Sequence, residues 1–82
     1  MWVYDFEYGY MVASLFVEEK LSCEICKEDG QYVSYCHSPF SKYPDNYIHP
    51  YVIYGNDLEI LKLKSMIISK KLGWGIKSFF KF

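Results

Sequence analysis

The chain contains no arginine and no threonine, and Ala13 is its lone alanine. Arginine is the side chain that reads guanine edges and clamps phosphates through paired hydrogen bonds. Without it, sequence-specific DNA reading is disfavoured, although lysines still meet phosphates as point charges. Proline is scarce, and its three residues (Pro39, Pro44, Pro50) all fall in one segment. No run is long and apolar enough to span a bilayer, so no transmembrane segment is expected. The opening Met1-Trp2-Val3-Tyr4-Asp5 lacks the basic start and apolar stretch of a signal peptide. Both absences lead to the expectation of a cytoplasmic protein with reduced thiols, in the host cytoplasm if it is phage-encoded. Three cysteines, an odd number, fit a disulfide framework poorly. A Gly-rich phosphate loop and a Gly-x-Ser-x-Gly elbow are also missing. The adjacent carboxylates Glu18-Glu19 and Glu28-Asp29 read as solvated turn charges. A non-enzymatic protein is therefore expected.

What is present is apolar, aromatic and sorted by charge. At 82 residues the chain is read as one small domain, 1–82. A domain of this size buries a limited core and gains from a metal, a disulfide or oligomerisation. Half the residues are apolar and a fifth aromatic, which excludes a disordered chain. Lys, Tyr, Phe and Ile are encoded by A/T-rich codons, a bias common in phage and mobile-element proteins. Residues 1–60 hold all ten acids and three lysines, leaving −7; residues 61–82 hold six lysines and no acid, giving +6. Such asymmetry points to an interaction surface, or to one half docking on the other.

Residues 2–8 alternate, with Trp2, Tyr4, Phe6 and Tyr8 on one side, which predicts a half-buried strand. Residues 10–17 read as a second strand, with a helix over 10–28 as the alternative. Residues 21–26 and 31–36 flank an Asp29-Gly30 turn and predict a hairpin. Residues 37–55 form an irregular Tyr- and Pro-rich loop in which 51–54 can add a short strand. A helix is predicted over 57–72, with Asn56 or Asp57 as N-cap and Gly73 at its C-terminal cap. It carries two apolar stripes, Leu58-Leu61-Ile68-Leu72 with Ser65 between, and Ile60-Leu63-Ile67. A helix with one wet face needs one stripe, so the second implies another packing partner. Residues 73–82 are an aromatic, basic tail. The expected fold is small α+β, a small antiparallel sheet from the first half packed against one C-terminal helix near 57–72. The expected core is Trp2, Tyr4, Phe6, Val12, Phe16, Leu21, Val33, Leu58, Leu61, Ile68 and Leu72.

The sharpest chemical pattern is Cys23-x2-Cys26, followed by Cys36-His37 and His49. Two thiolates two residues apart grip one zinc ion when they sit on a tight turn. Cys36 is the candidate third ligand and His49 the fourth, with His37 as the alternative, giving one structural zinc that staples the fold. Residues 21–37 resemble the opening of RING and zinc-ribbon domains. The second C-x-x-C of those families is missing, so no ligase function is carried over. The competing reading packs the cysteines as small buried apolar groups. A third makes the chain a thiol- or metal-handling protein, but Glu24, Glu28 and Asp29 would raise the thiol pKa values of Cys23 and Cys26. Cys36 and His37 are strand neighbours that point to opposite faces, a poor catalytic dyad.

Tyrosine offers large contact area at low entropy cost, and Tyr43, Tyr47 and Tyr51 are candidate partner-binding residues. The second helix stripe, Ile60, Leu63 and Ile67, completes that set. The favoured function is a small accessory or inhibitory protein, phage- or mobile-element-encoded, that binds a host protein. Homo-oligomerisation is a further reading of the charge asymmetry. The rival is a nucleic-acid binder using Lys62, Lys64, Lys70, Lys71, Lys77 and Lys81, weakened by the absent arginine and the acidic first half.

Overall fold

Alternating apolar and polar residues, rich in β-branched and aromatic side chains, turn the first two thirds of the chain into strands. A computed structural model describes residues 1–5 and 12–75. Five strands follow in order: β1 (Trp2–Asp5), β2 (Val12–Val17), β3 (Lys20–Glu28), β4 (Gln31–Cys36) and β5 (Tyr51–Gly55). They form one antiparallel sheet in the order β1-β2-β3-β4-β5. One helix, α1 (Leu58–Leu72), follows and packs across β3, β4 and β5. This is the α+β arrangement expected from the sequence. Val12–Val17 and Lys20–Glu28 are strands rather than a helix. The rest of the predicted first strand (Phe6, Tyr8), the Val12 side chain and residues 76–82 lie outside the described residues.

Two-residue turns close both central hairpins. Asp29 and Gly30, with φ of 51° and 79°, join the paired residues Glu28 and Gln31. Positive φ at both positions is the type I′ geometry that matches strand twist, and Asp-Gly adopts it readily. Glu18 and Glu19 make the same kind of turn between Val17 and Lys20, with φ of 50° and 67°. Neither residue suits it.

The helix ends follow their capping chemistry. The Asp57 carboxylate accepts from the Ile60 N–H at 3.1 Å, and Glu59 stands in the first turn. Gly73 takes a left-handed φ of 112°. The N–H groups of Gly73 and Trp74 donate back to the Lys70 and Ser69 carbonyls at 3.2 and 3.1 Å. This pair of bonds is a Schellman ending.

The core lies between α1 and one face of the sheet. Ala13, Leu15, Val17, Cys23, Ile25 and Cys36 meet Leu61 and Trp74 there. Trp2, Ile53, Leu58, Met66, Ile68 and Leu72 close its rim. Its centre is polar. Leu15 pairs with Cys23 but Phe16 pairs with Leu21, so Ser22 is an extra residue in β3. This bulge turns Ser22 and Cys23 together towards α1. Ser22 Oγ donates to Ser69 Oγ at 2.7 Å, and Ser34 Oγ and Ser65 Oγ share a bond of 2.6 Å. Ser65 Oγ donates to the Leu61 carbonyl at 2.7 Å, one turn back along α1. All four serines are fully buried. Buried hydroxyls are tolerable because each answers another.

Three expected core residues sit elsewhere. Tyr4 is exposed at the sheet rim, where its ring meets Lys62 rather than the core. Phe16 and Leu21 pair with each other on the face away from α1, Phe16 because Ala13, Leu15 and Val17 take the inward positions of β2 and Leu21 because the bulge reverses the alternation of β3. Val33 is buried as expected, but on that second face, between Cys26 and Tyr54 of the neighbouring strands.

Candidate interaction surfaces

Residues 37–50 connect β4 to β5, and short-range bonds tie them down. Lys42 and Asn46 exchange backbone bonds of 2.7 and 2.6 Å, and the Asn46 side-chain amide donates to the Phe40 carbonyl at 3.1 Å. Ser41 Oγ accepts from the Ile48 N–H at 3.0 Å and donates to the Ile48 carbonyl at 3.3 Å. Tyr43 and Tyr47 pack edge to face with centroids 6.2 Å apart, and Tyr47 and His49 do so at 5.2 Å. Tyr43 remains 86% exposed. The loop thus presents an ordered aromatic array to solvent, at little further entropy cost on binding.

A groove of about 440 Å³ opens beside this array, lined in part by Lys20, Leu21, His37, Tyr43, Tyr47 and Trp74. The Trp74 indole N–H donates to the His37 carbonyl at 2.6 Å, fixing the floor to the helix end. The helix offers a second surface. Ile60, Leu63 and Ile67 are 52%, 58% and 47% exposed, while Leu61, Ser65 and Ser69 of the opposite stripe are buried. Tyr51 and Tyr54 are exposed on β5, the last strand of the sheet. Tyr54, Ile60 and Lys64 share a second, smaller groove of about 200 Å³, which links the strand to the outer side of α1.

The lysines divide. Lys62 is folded against the protein, its ammonium 5.4 Å from the Trp2 ring centroid and 4.8 Å from that of Tyr4. It also donates to the Tyr4 hydroxyl and pairs with Glu59 at 3.4 Å. Burial opposes its charge, but Tyr4 and Glu59 outweigh burial and raise its pKa. In the rival nucleic-acid reading Lys62 is one of six phosphate-binding lysines; here Trp2, Tyr4 and Glu59 engage its ammonium. The sequence signal for this contact was Trp2 and Tyr4 on one strand face, facing a cation. Lys64, Lys70 and Lys71 are exposed; Lys77 and Lys81 lie outside the described residues.

The proposed zinc ligands do not all come together. Cys23 faces α1, whereas Cys26, an odd number of residues along the same strand, faces away and pairs across with Val33. His49 belongs to the aromatic array, and His37 lines the groove. Among the described residues no three His, Cys, Asp or Glu side chains converge. Of the expected donors Cys23, Cys26, Cys36 and His49, the structure brings Cys23 and Cys36 together and leaves Cys26 on the other face of β3 and His49 in the loop. Burial, then Glu24 and Glu28, raise the pKa of Cys26.

Cys23 and Cys36 do meet, as directly opposed residues of β3 and β4, both with no exposed surface. Each thiol is the chief influence on the other's titration, raising the Cys23 pKa and lowering that of Cys36 to about 7. Burial opposes the drop at Cys36, and Ser34 and Ser65 assist it. Cys23 Sγ also lies 2.8 Å from Ser69 Oγ, and Cys36 Sγ 3.5 Å from Ser34 Oγ.

Among the described residues no helix is long and apolar enough to cross a membrane. Comparison with protein-family models, curated proteins and solved structures returns no match.

Proposed function

We propose that the chain is a small non-enzymatic protein-binding module, an accessory or inhibitory protein that covers a surface of a larger protein. The observation that carries this reading is the outer stripe of α1. Ile60, Leu63 and Ile67 stand exposed in one line, on the side of the helix that the sheet does not use. Burying such a side chain against a partner contributes about 1.5–3 kcal/mol each. The tied-down Tyr43–Tyr47 array and Tyr51 supply rigid contact area of the kind that anchors interfaces. If the gene is carried by a phage or mobile element, the partner is a host protein in the host cytoplasm.

Affinity purification from the source cells, with the wild-type chain and with Ile60→Glu/Leu63→Glu, tests this reading. The expected result is one protein retained stoichiometrically by the wild type and lost by the variant, whose circular dichroism is unchanged. A wild-type chain that runs as a monomer and retains no protein refutes it. Retention on nucleic acid with steep salt dependence would replace it with the Lys64, Lys70 and Lys71 reading.

A further inference from the structure

Cys23 and Cys36 occupy a special position in the β3–β4 ladder. The His37 N–H donates to the Ser22 carbonyl at 2.7 Å, just beyond the pair. The two cysteines pair across the strands, so this flanking bond marks them as a non-hydrogen-bonded pair. At such positions the Cα atoms approach to about 4.5 Å and the side chains stand side by side on one face. A disulfide spans Cα separations of about 4.4–6.8 Å. Both side chains face α1 and belong to one buried cluster with Leu15 and Trp74. Cys26 is excluded from the pair, because it stands on the other face of β3.

We propose that Cys23 and Cys36 form a reversible dithiol–disulfide site, oxidised by low-molecular-weight disulfides of the glutathione class. The Cys36 thiolate attacks one sulfur of the small disulfide. That S–S bond breaks, and one thiol leaves with the proton Cys36 gave up. Cys23 then attacks the Cys36 sulfur of the mixed disulfide and releases the second small thiol, which takes the Cys23 proton. Two protein thiols are oxidised, and one small disulfide is reduced to two thiols. Ser65 and Ser69 of α1 cover the pair, so reagent reaches it when the helix lifts locally from the sheet. The site uses none of the surfaces assigned to partner binding, so the two readings stand or fall separately.

The test treats the folded chain with oxidised glutathione, then maps linkages by mass spectrometry after blocking free thiols. The expected product is an intramolecular Cys23–Cys36 link with loss of two hydrogens, Cys26 remaining free. Dithiothreitol should return the starting mass, with the circular dichroism unchanged throughout. Cys26→Ser should oxidise like the wild type, and Cys36→Ser should give no intramolecular link. Three results would overturn the proposal: no link in the folded chain, a link that involves Cys26, or a Cys23–Cys36 link formed in urea alone.

Discussion

The Glu18-Glu19 turn gives the most direct test of the backbone reasoning. Both residues adopt positive φ, of 50° and 67°. A left-handed residue with a Cβ costs about 1–2 kcal/mol, so the turn stores roughly 2–4 kcal/mol. Glu18→Asn/Glu19→Gly installs the pair that type I′ turns prefer. Asn visits this region more cheaply and Gly without a Cβ clash, but Gly returns about 0.5–1 kcal/mol through the entropy of the unfolded chain. The net gain is on the order of 1 kcal/mol, a rise of about 4–8 °C in Tm for a domain of this length. The assay is thermal and urea unfolding by circular dichroism. The β3–β4 turn supplies the mirror experiment. Gly30 has a φ of 79° and open space where a Cβ would go. Gly30→Ala should therefore lose about 1 kcal/mol by backbone strain alone. An Asn-Gly variant that melts at or below the wild-type temperature, beside a Gly30→Ala variant that loses nothing, would refute the assignment of strain to these turns.

Three further predictions follow from individual side chains. Trp2 Nε1 is buried without a partner whereas Trp74 Nε1 donates to the His37 carbonyl, so Trp74→Phe should cost about 1–3 kcal/mol more than Trp2→Phe in urea unfolding. Tyr35 donates to Glu28 at 2.7 Å, and that bond to the neutral phenol pushes its pKa up to about 12. Its stabilisation is present below the ordinary phenol pKa of 10.0 and is lost as pH rises through about 12. Alkaline ultraviolet titration should show Tyr35 ionising late, a component that Glu28→Gln shifts back towards lower pH. Chelator should leave the melting curve unchanged, since Cys23 and Cys26 lie on opposite faces of β3; a large drop in Tm would overturn that placement.

Much of the architecture was legible because it rests on local chemistry. Asp29-Gly30 announces its turn, and Asp57, Gly73 and the flanking charges announce both helix ends. Periodicity alone could not locate the β3 bulge. One extra residue at Ser22 moved Leu21 to the far face and brought a serine inside. The placement of the cysteines depends on the same kind of detail. C-x-x-C converges on a metal when it lies on a turn, but an extended strand sends its two members to opposite sides. The outer helix stripe and the exposed loop tyrosines were visible as surplus apolar residues. The division between the two stripes also follows the expectation: Leu58, Leu61, Ile68 and Leu72 pack on the sheet, and Ile60, Leu63 and Ile67 stay exposed.

The hydroxyls under α1 decide that division. A helix with two apolar stripes has two ways to lie on a sheet, and counting carbon hardly separates them. Rolling α1 over would exchange Leu58, Leu61, Ile68 and Leu72 for Ile60, Leu63 and Ile67, a similar quantity of apolar surface. It would also take Ser65 and Ser69 away from Ser22, Ser34 and Cys23 and leave those groups facing hydrocarbon. Each orphaned hydroxyl costs about 1–3 kcal/mol. The serines thus act as an orientation key. They forgo some hydrophobic stability and in return hold the Ile60-Leu63-Ile67 stripe on the outer side of the helix.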